Sequence, residues 1–354
     1  MTEISCTPAA GLRRRDIDMI KSLAIISVLL IHASAGGYIG GVGSFDWTSS
    51  VFWGSISRAG VPLFFMCSGA LLLPPEKELT LKKLFTRSIP RIIAAMFVWA
   101  FLYKCWHLMR DSAFTAAALF QGVKEILLFK QEFHLYFLQK ILLVYAFLPL
   151  TRLLVAAADK KQLEYALGLW FILAILYPTV KPFWPFSLLE GTPAQWMMNS
   201  TYGAIGYGVV GYYICAYTPA RRRGFVMAAL AGFILIFAGT VSDSIISGRM
   251  YAGFYEGNTV GVCLMAAGIF GLVHTGADKA PEKLSRVTGY VSKASFCIYL
   301  VHVFFLRSFT GLIPGANSLP TLISVPLFAL VMFLCSLAVY ALLSRIPFVK
   351  RWLI

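Results

Sequence analysis

Runs of mostly apolar residues alternate with short polar segments along almost the whole chain. A helix that crosses the hydrocarbon core of a bilayer needs about 17–25 such residues. Runs of that length lie near residues 17–37, 51–73, 88–108, 135–157, 163–181, 198–216, 225–246, 257–275, 290–310 and 322–345. The pattern predicts an all-α polytopic membrane protein with about ten transmembrane helices, and an even number of spans places both termini on one side.

The composition strengthens this interpretation. The 354 residues are 58% hydrophobic and only 13% charged, and the mean hydropathy is +0.74. A soluble domain of this length cannot bury so much apolar surface. Because no polar segment is long enough to form a soluble unit, residues 1–354 are predicted to be a single integral-membrane domain.

The formal net charge of +15 follows the predicted topology. Basic residues concentrate in alternate loops, as in Lys160–Lys161 and Arg221–Arg223, whereas the intervening loops carry only scattered ones such as Arg110. This is the positive-inside rule, which assigns both termini to the cytoplasm of a multi-pass protein in the plasma membrane. Membrane lipids are therefore expected partners, and nucleic acid is not.

The first apolar run carries a cation and an imidazole in helical register. Lys21 and His32 are eleven residues apart, which in an α-helix is three turns plus about 20° and roughly 16 Å along the axis. Both side chains therefore lie on one helix face. A neutral imidazole inside a membrane span can accept a proton at working pH, which suits His32 to the role of general base.

Other ionisable residues lie at a depth similar to that of His32, near the outer face. His134 opens the fourth span, His302 lies in the outer half of the ninth, Arg58 begins the second and Glu256 opens the eighth. These four are candidates for binding an acceptor, although a histidine at a helix end can also be an ordinary interfacial residue. Three histidines could hold a metal, but their order along the chain gives no ligand spacing and no metal is expected.

A second group of cations lies at the cytoplasmic side. The segment LKKLFTRSIPRII places Arg87 and Arg91 at i and i+4, at the depth of Lys21. These residues satisfy the positive-inside rule in any case. They also suit a phosphate-bearing ligand that enters from the cytoplasm, since arginine and lysine are the usual phosphate partners.

One glycine pattern indicates packing and not cofactor binding. The stretch GYGVVG, residues 206–211, matches the dinucleotide fingerprint GxGxxG. That fingerprint requires a strand before it and a helix that opens at it. Here it falls inside an apolar span, so close approach of two helices is predicted.

Four stretches, in order over nearly the whole chain, resemble the membrane-bound acyltransferase-3 family. They are DIDMIKSLAIISVLLIHA, SRAGVPLFFMCSGALLL, FHLYFLQKILLVYAFLPL and SKASFCIYLVHVFFL. The resemblance is greatest to short O-acetyltransferase members, which carry no attached extracytoplasmic domain. It implies transfer of an acyl group, most simply acetyl, from cytoplasmic acyl-coenzyme A to a hydroxyl of an extracytoplasmic or lipid-linked glycan, in the inner membrane.

The resemblance also implies roles for particular residues. His32 matches the family's essential histidine, and Lys21 stands where most members have arginine, so these two are the expected catalytic residues. Lys21, Arg87 and Arg91 are the expected contacts of acetyl-coenzyme A. The family's Arg-x-x-Arg motif is not intact, because Ser88 stands at the expected position.

A transporter or flippase for a small acid or a lipid-linked sugar would use a similar layout. The sequence leaves open which glycan and which hydroxyl are acylated, and whether the donor is acetyl or succinyl. It also leaves open direct transfer and an acyl-histidine intermediate.

Overall fold

The computed structural model describes residues 14–218, 221–309 and 319–354, and these contain helices and loops without any strand. The helices are α1 Arg15–Ser34, α2 Phe45–Ser57, α3 Gly60–Leu72, α4 Leu81–Lys83, α5 Ile89–Arg110, α6 Ala116–Leu127, α7 Tyr136–Ala157, α8 Lys160–Trp170, α9 Tyr177–Val180, α10 Thr192–Gln195, α11 Ser200–Tyr217, α12 Arg222–Ser247, α13 Val260–Gly276, α14 Glu282–Ser308, α15 Thr321–Leu343 and α16 Pro347–Trp352. The all-α polytopic fold predicted from the sequence is confirmed. The predicted domain 1–354 also includes segments outside the described residues.

Within the described ranges, nine helical segments are long and apolar enough to cross a membrane. They are Arg15–Ile39, Phe45–Leu72, Leu81–Arg110, Phe133–Ala157, Lys160–Val180, Arg222–Ser247, Gly253–Lys279, Glu282–Ser308 and Thr321–Leu343. Nine of the ten predicted spans correspond to these segments. The second begins earlier than predicted and consists of two helices, α2 and α3, which meet at Arg58 and Ala59.

The remaining predicted span, 198–216, corresponds to α11. Its 18 residues include many glycines and tyrosines, which lower its hydropathy below that of the other spans. Contacts at its two ends nevertheless show that it crosses the bundle. Ser200 accepts a hydrogen bond from Lys140 at one end, and Cys215 accepts one from Arg14 at the other.

Glycines bring α11 and α3 into backbone contact. A Cβ atom added to Gly69 would lie 1.8 Å from the carbonyl oxygen of Gly208, and one added to Gly211 would lie 2.2 Å from that of Met66. Such approaches are possible only without side chains, and small residues serve this purpose in membrane helices. The packing role predicted for GYGVVG is therefore confirmed.

The first and last described residues lie at the same end of the bundle. Arg14 donates a hydrogen bond to the carbonyl of Ala70 at the end of α3, and Arg91 at the start of α5 donates one to the carbonyl of Ile354. At the opposite end, Arg307 at the end of α14 pairs with Glu132 before α7. The end with Arg14 and Ile354 carries the basic loops, so it is the cytoplasmic or inner end.

Candidate active site

A cavity of about 550 Å³, here called the inner cavity, opens near the cytoplasmic end. Its wall includes all three residues that were predicted to hold a phosphate-bearing donor, namely Lys21, Arg87 and Arg91. Lys350 and Arg351 of the C-terminal helix α16 join them. Elements distant in sequence therefore converge here to form one cation-rich surface.

The C-terminal segment is attached to α5 by side-chain hydrogen bonds. Trp99 donates from Nε1 to the carbonyl of Leu353 at 3.0 Å, and Arg91 donates to the carbonyl of Ile354. These bonds hold α16 against the wall of the inner cavity. Its contribution to the cavity was not predicted, because it depends on a tertiary contact that no local pattern signals.

A second cavity of about 390 Å³, here called the outer cavity, lies toward the other end of the bundle. Its wall includes His32, Arg58 and Glu256, which were predicted to meet near the outer face. Lys140 and Tyr255, which the sequence did not single out, also line it. The outer cavity therefore combines an imidazole, two cations, a carboxylate and aromatic rings.

Three histidines form a chain from the outer cavity into the protein interior. The ring centroids of His32 and His302 are 5.0 Å apart, and those of His302 and His134 are 5.2 Å apart. His134 and His302 are buried and lie behind His32 instead of in the wall of the outer cavity. Direct acceptor contact, the role predicted for them, therefore does not follow from their placement.

Hydrogen bonds orient the two buried rings only in part. His302 donates from Nδ1 to the carbonyl of Tyr299 at 2.7 Å, because a carbonyl can only accept. The hydroxyl of Tyr299 in turn donates to the carbonyl of His134. Within the described part of the chain, His302 Nε2 and both ring nitrogens of His134 are buried without a hydrogen-bond partner. Hydrogen bonding therefore fixes the ring of His302 through Nδ1 but does not fix the ring of His134.

The inner and outer cavities share the helices that form their walls. On α1, Lys21 faces the inner cavity and His32 the outer one, as their register predicted. On α7, Phe137 faces the inner cavity and Lys140 the outer one. Lys21 and His32 therefore do not meet in one pocket, and Lys21 lies with the other cations of the inner cavity.

A layer of aromatic side chains lies between the two cavities. Phe65 of the outer wall and Phe137 of the inner wall have ring centroids 5.2 Å apart, and Phe137 and Tyr299 are separated by the same distance. We refer to Phe65, Phe137 and Tyr299 as the aromatic layer. Because Phe65 lines the outer cavity and Phe137 and Tyr299 line the inner one, contacts between these rings form part of the boundary between the two cavities.

The histidine chain does not form a metal-binding group. In the described ranges, the one cluster with suitable ligand atoms is Asp16, Cys215 and His274 at the inner end. Arg14 donates to Asp16 at 2.6 Å and to Cys215 at 3.1 Å, so a guanidinium already lies among these atoms. Burial acts to lower the pKa of Arg14, but its bonds to Asp16 and Cys215 raise that pKa overall. Arg14 therefore remains charged and links α1, α3 and α11.

These features define a multi-pass membrane protein with a cationic site on one face and a histidine-containing site on the other. The chain belongs to the acyltransferase-3 family, since the family model described as an acyltransferase domain matches residues 14–344. The resemblance found in the sequence is thereby confirmed. Comparisons with curated proteins and with solved structures find no match.

Family membership determines the general activity and the location. The protein is an acyltransferase that acts on a hydroxyl group, in general that of a sugar, and it resides in the inner membrane as a multi-pass protein. Membership favours the enzyme over the transporter among the functions that the sequence left open.

Proposed function

We propose that the chain acts as a single membrane domain, residues 1–354, that transfers an acetyl group from cytoplasmic acetyl-coenzyme A to a hydroxyl of an extracytoplasmic or lipid-linked glycan. One observation carries this proposal. A single helix, α1, presents Lys21 to the inner cavity and His32 to the outer cavity. A transferase with its two substrates on opposite faces of the membrane requires this arrangement.

The inner cavity binds the donor. Its predicted contacts Lys21, Arg87 and Arg91, together with Lys350 and Arg351, surround the cavity with positive charge. Guanidinium groups bind phosphate through paired hydrogen bonds, and lysine acts as a point charge. The phosphates of coenzyme A therefore bind here, and the acyl thioester extends toward the aromatic layer.

The outer cavity binds the acceptor, and His32 acts on it. His32 takes the proton of the sugar hydroxyl as the hydroxyl oxygen forms a bond to the thioester carbonyl carbon. The carbon–sulfur bond then breaks, and the coenzyme A thiolate leaves and takes up a proton. Arg58 and Glu256 orient the acceptor, while His302 and His134 position the ring of His32 from behind.

The test incubates the purified chain in bilayers with radiolabelled acetyl-coenzyme A and a lipid-linked glycan extract. We expect label in the glycan with the wild type, and a rate lower by a factor of about 10²–10⁴ for His32→Ala, because a general base contributes that much. His107→Gln is the matched control, since His107 lies near the outer end and pairs with Glu132.

Two outcomes would contradict the proposal. If His32→Ala transfers label as fast as the wild type, His32 is a packing residue and another group performs the chemistry. If no acetyl or succinyl donor gives transfer while the bilayers still accumulate a labelled sugar, the chain is a transporter.

A further inference from the structure

Two basic side chains in the wall of the outer cavity have no carboxylate partner. Arg58 donates to the hydroxyl of Tyr38 at 3.3 Å, and its guanidinium carbon lies 3.7 Å from the centre of the Tyr255 ring. Its Nε atom is buried and has no hydrogen-bond partner among the described atoms. Lys140 donates from Nζ to the Ser200 hydroxyl at 2.9 Å. In the described ranges, no carboxylate lies within 4.0 Å of either cation.

Two other basic side chains at the same end of the bundle each have a carboxylate partner. Arg307 lies 2.6 Å from a carboxylate oxygen of Glu132, and Lys104 lies 2.6 Å from one of Glu125. Arg58 and Lys140 differ from these two basic side chains in having no carboxylate partner.

An unpaired cation inside a membrane span is energetically unfavourable and normally has a functional reason. Glu256 lines the same cavity but forms no ion pair with Arg58 or Lys140. The outer cavity thus has two cations for one carboxylate, and the two cations are free to bind an anionic ligand by charge-assisted hydrogen bonds.

We propose that the acceptor carries an anionic group, a carboxylate or a phosphate, that binds between Lys140 and Arg58. The ring of Tyr136, an exposed side chain of the same wall, provides a flat apolar surface for the sugar ring. Lys140 is then a specificity-determining residue, distinct from the chemistry at His32. The identification of the outer cavity as the acceptor site rests on the proposed function.

The test measures binding of three small probes to the full chain in detergent, without any donor. The probes are a glucuronyl disaccharide, the matching glucosyl disaccharide and glucosyl phosphate. We expect one or both anionic probes to bind at least about tenfold more tightly than the neutral one, the usual effect of a charged hydrogen bond. Preference for the glucuronyl probe assigns the anion to the glycan, and preference for glucosyl phosphate assigns it to a phosphate linkage.

Lys140→Gln tests the residue itself. It is expected to remove the preference for the anionic probe and to leave binding of the neutral probe unchanged, whereas a merely structural lysine would affect both. Lys140→Arg restores the preference, and Lys124→Gln, an exposed lysine of α6, leaves it intact.

Equal binding of the neutral and anionic probes by the wild type overturns the inference, and this measurement does not depend on whether Lys140→Gln folds. An unchanged preference in Lys140→Gln also overturns it. Because no donor is present, the result is separable from the proposed function. If the chain binds anions selectively but transfers no acyl group, the transferase proposal is wrong and this inference stands. If the chain acylates neutral and acidic glycans at equal rates, this inference is wrong and the transferase proposal stands.

Discussion

The inner and outer cavities differ in how their walls are charged. Among the described residues, the inner wall contains five basic side chains and no aspartate or glutamate, whereas the outer wall contains two basic side chains, Glu256 and His32. A wall whose charged side chains are all cationic attracts a highly anionic ligand. A mixed wall recognises a ligand by the position of its groups. Under the proposed function, charge selects the donor, whereas the positions of the cations, the carboxylate and the imidazole in the outer wall select the acceptor.

The two cavities are also coupled, because α1, α3 and α7 each contribute residues to both walls. On α3, for example, Phe64 faces the inner cavity and Phe65 the outer one. A tilt of any of these helices changes both sites together. To test whether the two walls recognise their ligands differently, a substitution must therefore alter one cavity and leave the other unchanged.

After His32→Ala, the largest effect is expected from Arg87→Gln in the inner wall. Loss of a charged contact to phosphate raises the KM for the acyl-coenzyme A donor by about tenfold, while the KM for the acceptor is unchanged. Steady-state kinetics with each substrate varied in turn would measure this. Lys82→Gln, a basic residue of the same segment outside the cavity wall, is the control. An equal change in the donor KM in Arg87→Gln and Lys82→Gln would mean that these residues only set the orientation of the helix in the membrane.

A smaller effect is expected from Phe137→Leu in the aromatic layer. The smaller side chain opens the boundary between the cavities to water, so hydrolysis of the donor relative to transfer rises about threefold. Counting free coenzyme A against acylated glycan would measure the ratio. Phe101→Leu, an exposed side chain of α5, should leave it unchanged. An unaltered ratio in Phe137→Leu would show that this ring does not separate the two cavities.

The smallest effect concerns stability at the outer end. Glu132 accepts hydrogen bonds from His107 and Arg307 at 2.7 and 2.6 Å. Burial acts to raise the pKa of Glu132, but these two partners lower that pKa overall. Its contribution is therefore complete above the usual glutamate pKa of about 4.3 and is lost as the pH falls through the lowered value.

Glu132→Gln should lower the melting temperature at pH 7, by the equivalent of about 2 kcal/mol, and should make the decline below pH 4 shallower. Thermal unfolding in detergent across pH 3–7 would measure both. The control is Glu125→Gln, whose solvent-screened pair with Lys104 contributes less to stability. If Glu132→Gln lowers the melting temperature no more than Glu125→Gln does, Glu132 does not stabilise the outer end through His107 and Arg307.

The sequence was sufficient where a feature depends on helix periodicity or on charge along the chain. The register of Lys21 and His32 followed from the helical repeat. The prediction that Arg58 begins the second span was wrong, because that span starts at Phe45 and Arg58 lies inside it, where α2 and α3 meet. Features that depend on contacts between distant segments were not predictable. Lys140 is a single cation in an apolar run, and its unpaired state is visible only once its neighbours are known. The low hydropathy of α11 has a tertiary cause too, since its glycines meet α3.

The central claim is that donor and acceptor reach the reaction from opposite faces of the membrane. The most direct measurement reconstitutes the chain in vesicles in one known orientation and adds radiolabelled acetyl-coenzyme A on one side and a membrane-impermeant glycan on the other. We predict labelled glycan only when the donor is on the side of Lys21 and Arg87 and the acceptor on the side of His32. Transfer when both substrates are on the same side, or only in the reverse arrangement, would contradict the account.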